Sequence, residues 1–274
     1  MSYPDDHVRL IDKIGASLNI PKITEILLPQ SDKVDGQEDE FGFVILEDGS
    51  VGPFYVCLGD TRDKLAETQP RTRAITRGTL WTAGEIGSPD LSTSALAIGA
   101  FNALSQHLMR MADFDPSATA SPSDDIPVKI VGMVGYFPPL VERYLAKGCT
   151  LVVVEQKPER VPGQEGVELH TTPDALRHCD RVICTASTLI NGTLDEILSS
   201  AGPDKRIDLI GPSASGLPDP LFACGIQSVG GILIDRPGQL RSTMEAGEKW
   251  GDCGRKYQLT AENYPGIEAL LAKI

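Results

Sequence analysis

Between residues 128 and 234 one texture repeats. Short, mostly apolar runs, at 129–134, 150–154, 181–184, 206–210 and 228–234, alternate with polar stretches that have helical spacing. Runs this short and this rich in Val and Ile suit strands buried on both faces, and the polar stretches suit crossover helices between them. Right-handed crossovers then bring the loop after every strand to one edge of a parallel sheet. The pattern predicts a Rossmann-like α/β domain, and open sheets of that kind bind ligands at the carboxyl edge of the strands.

The first part of the chain reads differently. Residues 7–18 place Val8, Ile11, Ile14 and Leu18 on one helical face, and residues 95–108 repeat that spacing behind a cap at Ser92 or Ser94. Between them lie a candidate strand at 22–28 and two more, 40–46 and 51–57, joined by the turn Glu47-Asp48-Gly49-Ser50. This order is α+β. Residues 113–127, rich in Pro, Ser, Ala and Asp, carry no apolar period and read as a connection. At 274 residues the chain accommodates two domains. The expected division is 1–115 as the α+β domain, 116–127 as linker and 128–274 as the Rossmann-like domain with a C-terminal tail.

A formal charge of −13 with no basic run argues against a phosphate-backbone partner, so no nucleic acid is expected. The opening residues lack the charged and apolar regions of a signal peptide, and no apolar run is long enough for a bilayer, so the expectation is a cytoplasmic protein with no membrane partner. Six cysteines without a CxxC pair read as free thiols of a reducing compartment. A symmetric homodimer is the ordinary assembly for such a protein.

The chemistry concentrates in four strand-end loops. The first, Gly135-Tyr136-Phe137-Pro138-Pro139, leads into a helix near Leu140, and Gly135 lets a polar ligand approach the backbone beside aromatic walls. It is not a GxGxxG fingerprint. The second run ends at Glu155, where a carboxylate can accept ribose hydroxyls or hold a cation. The third loop carries Thr185, Ser187, Thr188, Asn191 and Thr193. Thr193 can cap the helix that follows from about Leu194, whereas the other four are more than a cap needs and point to a ligand. The fourth, Gly211-Pro212-Ser213-Ala214-Ser215, is either an anion-binding nest or a tight connection. In the expected roles Gly135 and Ser213 offer backbone contacts, Thr188 and Asn191 orient the ligand, and Glu155 takes a hydroxyl or cation. Tyr136, Phe137, Thr185, Thr193 and Gly211 complete the candidate set.

No catalytic triad, nucleophile elbow, Walker lysine or HExxH motif is visible. His170, His178, Cys179 and Cys184 form the only group with soft-metal character, and their spacing does not match a closed zinc site. From the first half, Thr61-Arg62, Arg71-Thr72-Arg73 or Thr82-Ala83-Gly84-Glu85 could reach an anionic ligand, although salt bridging also explains these arginines.

The segments 134–138, 185–193 and 211–215, with Pro218 and Leu221-Phe222 beyond, resemble a prokaryotic family of unknown function labelled as a putative heavy-metal chelation domain. The resemblance implies an enolase N-terminal-like α+β domain ahead of the Rossmann-like one, and its name implies metal. Hydroxyls, an amide and a carboxylate instead suit a polar organic ligand or a metal–organic complex. Three readings follow: a small-molecule or metal-complex binding protein or enzyme, with its ligand at the strand-end loops between the two domains; a transition-metal chelation or handling protein; and a nucleotide- or S-adenosylmethionine-dependent enzyme.

Overall fold

The computed structural model describes residues 3–29, 40–119 and 128–274. The expected linker falls largely on 120–127, outside the described residues.

The first half holds α1 (Tyr3–Ser17), a three-stranded antiparallel sheet β1 (Ile23–Leu27), β2 (Phe41–Leu46) and β3 (Val51–Tyr55), then α2 (Thr61–Ala66), α3 (Thr68–Arg77), α4 (Thr79–Ala83) and the long α5 (Leu91–Met111). The N-cap of α5 is Asp90, not Ser92 or Ser94: its carboxylate accepts the Thr93 N–H at 3.0 Å, and it also takes the Ser92 and Thr93 hydroxyls. A carboxylate at this position satisfies orphan donors and meets the positive end of the helix dipole.

The second half runs β4 (Ile130–Val134), α6 (Pro138–Ala146), β5 (Thr150–Val154), β6 (Val167–His170), β7 (Arg181–Thr185), α7 (Thr188–Asn191), α8 (Leu194–Ala201), β8 (Arg206–Ile210), α9 (Asp219–Ala223), β9 (Ser228–Ile234), α10 (Pro237–Glu245), β10 (Gly254–Leu259) and α11 (Ile267–Leu271). Its seven strands lie in the order β10-β9-β8-β7-β4-β5-β6, all parallel except β10. The expected strands all form. Two edge strands, β6 and β10, add to them, and α6 begins at Pro138 rather than near Leu140.

Both faces of the parallel sheet are covered, which explains its mostly apolar strands. Along β4 and β5, Val131, Met133, Leu151 and Val153 pack with Val141 and Tyr144 of α6. The alternate residues, including Val134, Val152 and Val154, join a core that continues into α5, α1, β1 and Phe54 of β3. The hairpin β2–β3 is itself covered twice, because Phe43, Ile45 and Val51 pack against Ile232 and Ile234 of β9 and Leu240 of α10. The two halves therefore share their apolar interior. Gly52 allows the close crossing of β3 and α5: a Cβ there would lie 1.9 Å from the Gly99 carbonyl oxygen.

Candidate functional site

The strand order reverses at β4, with β5 on one side and β7 on the other. Carboxyl ends diverge at such a switch point and leave a crevice. A cleft of 1290 Å³ opens there, and Gly135, Tyr136, Phe137, Glu155, Thr185, Thr188, Asn191, Thr193, Gly211 and Ser213 all line it.

At the end of β4, Gly135 has φ of +83° and donates its N–H to the Val154 carbonyl at 2.9 Å. A Cβ at this position would sit 3.2 Å from the Thr185 methyl, so conformation and space both call for glycine. The helix behind it is unlike a phosphate-binding one. Pro138 and Pro139 open α6 without N–H groups, and the next two N–H groups, of Leu140 and Val141, return to the Phe137 carbonyl at 2.9 and 3.0 Å.

At the end of β5, Glu155 is held twice. Its N–H donates to the His170 carbonyl at 2.9 Å, and its Oε1 accepts the Lys157 N–H at 3.0 Å. Beyond it, the Arg160 guanidinium interacts with the Tyr55 phenol across the cleft. Burial pushes the Tyr55 phenol up to about 12, with Glu40 adding to the shift, so Tyr55 faces the cleft as a neutral group at neutral pH.

The loop after β7 is more self-contained than its composition suggests. Thr188 donates its hydroxyl to the Thr185 carbonyl at 2.7 Å, and the Thr185 and Ser187 hydroxyls lie 3.1 Å apart. Asn191 Oδ1 accepts both the N–H and the hydroxyl of Thr193, at 3.2 and 2.7 Å. Thr193 occupies the N-cap position of α8, but its hydroxyl makes no capping bond. The expectation that these side chains exceed local needs is thus corrected: each has a partner inside the loop. The backbone is similarly engaged, since the N–H groups of Ala186, Ser187, Leu189, Ile190 and Asn191 all find acceptors.

After β8, the N–H groups of Gly211, Ala214 and Ser215 bond to the carbonyls of Gly230, Gly211 and Pro212, which favours the tight connection over the anion nest. Ser213 is 1% exposed; its hydroxyl accepts the Tyr55 N–H at 2.9 Å and its carbonyl accepts Asn102 Nδ2 at 3.0 Å.

The opposite wall comes from Glu40, Phe41, Tyr55, Cys57, Leu58 and Gly59, at one end of the β2–β3 hairpin and the segment after it. Sequence reasoning missed these residues. The hairpin was visible as alternating apolar residues, but nothing local indicates which sheet its open end will face. The expected arginine stretches lie elsewhere. Arg71 donates to the Ala66 and Glu67 carbonyls, while Arg73 stacks on Trp81 and stands 3.9 Å from Glu85. Thr61 is buried, and Thr82 donates to the Ala74 and Gly78 carbonyls.

The His170, His178, Cys179 and Cys184 grouping does not form a site. Cys179 and Cys184 are fully buried, and burial pushes their thiols up to about 11 and about 12, away from the thiolate that a soft metal binds. Among the described residues no three His, Cys, Asp or Glu side chains converge to hold a metal ion. Nor, among these residues, is any helix long and apolar enough to cross a membrane.

A family model matches residues 119–263, more than half of the chain and all of the parallel sheet. The chain belongs to the DUF364 family, described as putative heavy-metal chelation. Two solved DUF364 proteins of unknown function share the fold. One, from Pyrococcus horikoshii, superposes with a TM-score of 0.71 at 19% identity, over 94% of this chain and 100% of its own. The other, from Desulfitobacterium hafniense DCB-2, gives 0.70 at 20% identity, over 93% and 98%. That likeness covers more of the chain than the residues that the DUF364 family model matches. No curated protein of known function matches the chain.

Proposed function

We propose that this protein binds a small polar organic ligand in the cleft at the β4–β7 switch point. One observation supports this reading above the others: four loops separated by as many as 78 residues, from Gly135 to Ser213, line a single cleft whose far wall is another sheet. Ligand sites commonly run to about 300–1,000 Å³, so 1290 Å³ leaves room for a ligand with water around it. Glu155 and the Tyr55 hydroxyl supply hydrogen bonds, and Tyr136 and Phe137 supply apolar faces. A thermal-shift screen of polar metabolites against wild type and Gly135→Val tests it. Binders in the cleft raise the wild-type midpoint and leave the variant unmoved, whereas hits that shift both proteins equally count against the cleft.

The family description favours a second reading, in which the cargo is a metal already held by an organic chelator. The cleft offers carboxylates and hydroxyls but no convergent set of three metal-ligating side chains among the described residues, so most of the metal's ligands would belong to the cargo. Elemental analysis after exposure to free Ni²⁺, Co²⁺ or Zn²⁺, and then to the same ions with a chelator, distinguishes the cases. Uptake only with the chelator supports cargo binding. Stoichiometric uptake of the bare ion, lost on substitution of His178, Cys179 or Cys184, would support direct chelation instead.

A further inference from the structure

Within the cleft, and resting on the proposal that it binds a small organic ligand, we infer the ligand's class: a phosphate-free ribonucleoside, held through its vicinal diol by Glu155. Two observations meet on this point, one about what the site can accept and one about what it cannot.

The first is the placement of Glu155. It follows Gly135 by 20 residues and stands at the end of the strand next to β4, with Val134 and Val154 in register. In sheets of this order the carboxylate at that place accepts ribose hydroxyls. A carboxylate suits a diol because its two oxygens can each accept one of two adjacent hydroxyl hydrogens. Here its backbone is fixed by His170 and its Oε1 by Lys157, while Oε2 has no hydrogen-bond partner among the described residues. The carboxylate is oriented before any ligand arrives, so little entropy is lost in aiming it. Next to it the cleft is edged by Gln156, Thr171 and Thr172, which can face the polar edge of a base.

The second is the lack of a phosphate cradle. Nucleotide sites of this fold place phosphate on free N–H groups at the first helix. In α6 those groups are two prolines and two N–H groups already bonded to Phe137, and the loops after β7 and β8 spend most of theirs internally. Charge works in the same direction. Glu40, Glu155, Asp174 and Glu196 line the cleft against only Lys157 and Arg160. Phosphate would meet net negative charge, whereas a neutral nucleoside, or one bearing a cationic substituent, would not.

The test is calorimetric titration of the full chain with ribonucleosides, their 2′-deoxy counterparts and the matching 5′-diphosphates, on wild type and Glu155→Gln. At least one ribonucleoside should bind. Loss of the 2′-hydroxyl, or the Glu155→Gln change, should weaken it about tenfold, and the diphosphate should bind no more tightly than the nucleoside. The deoxy comparison on wild type stands even if Glu155→Gln folds poorly. A diphosphate that binds about tenfold more tightly than its nucleoside, indifference to the 2′-hydroxyl, or absence of nucleoside binding overturns the inference. If nucleosides fail while other polar compounds bind wild type and not Gly135→Val, the diol assignment falls and the cleft reading stands. If no compound distinguishes wild type from Gly135→Val, both fall.

Discussion

The Ser213 hydroxyl accepts the backbone N–H of Tyr55 at 2.9 Å, which joins the loop after β8 to the strand that forms the opposite cleft wall. One helix reinforces this joint. Asn102 of α5, 1% exposed, donates through Nδ2 to the carbonyls of both Pro53 and Ser213, at 2.8 and 3.0 Å. The two walls of the cleft are thus positioned by hydrogen bonds as well as by shared apolar packing.

Asn102→Ala leaves two carbonyls without their donor in a buried position and should cost about 3 kcal/mol. Urea unfolding monitored by circular dichroism reads this as a lower midpoint. A loss within about 0.5 kcal/mol would show that the joint contributes little.

Gly135→Val places a β-branched residue at φ +83°, beside Thr185. The left-handed conformation should cost about 1–2 kcal/mol, few enough to leave the chain folded. Its larger effect should be on binding, because the added side chain stands at the rim of the cleft. Unfolding and ligand titration of the same preparation separate the two effects.

Arg181 and Asp208 form a buried ion pair between β7 and β8, with Arg206 Nε on the other carboxylate oxygen at 3.3 Å. Arg181→Met strips Asp208 of its buried partner and should destabilise the fold by about 3 kcal/mol. Adding Asp208→Leu should return part of that loss, since the stranded charge goes with it. Equal stabilities for the single and double variants would show that Arg206 alone satisfies Asp208.

Acid should weaken the fold in two stages. Burial lowers His7 from 6.5 to about 3, so between those values the unfolded chain binds the proton and the folded chain does not. Stability is then complete above about pH 6.5 and falls as pH drops, by up to about 1.4 kcal/mol per pH unit. Asp48 adds to this at lower pH. Burial opposes its ionisation, but hydrogen bonds from His107 and Ser50 outweigh burial and hold it near 2, so its contribution is lost as pH falls from 3.8 toward 2. His7→Gln should flatten the upper stage in a series of thermal midpoints from pH 7 to pH 4, and an unchanged slope would remove His7 as its source.

How much of this could be read from sequence depended on how local the physics is. Strand β5 was legible to the residue because burial on both faces writes an unbroken apolar run. The edge strand β6, Val-Glu-Leu-His, has no buried residue and so leaves no such run. In β10 only Tyr257 and Leu259 are buried, and its pairing with β9 is antiparallel. The four loops of the cleft were legible for the same reason as the strands, since right-handed crossovers dictate their edge. Tyr55 and its neighbours were not, because their place depends on Asn102, 49 residues from Pro53, and on Ser213, 158 residues from Tyr55. The engagement of Thr188 and Asn191 within their own loop was equally hidden, as composition shows hydroxyls and amides but not the geometry that pairs them.

Native mass spectrometry of the full chain, incubated with a small-molecule cell extract and desalted gently, reads occupancy of the cleft directly. Wild type should retain an organic species in near one-to-one ratio, and Gly135→Val, checked for folding, should lose it. Equal retention by both proteins, or retention of bare metal ions alone by wild type, would contradict an organic-ligand site at the β4–β7 edge.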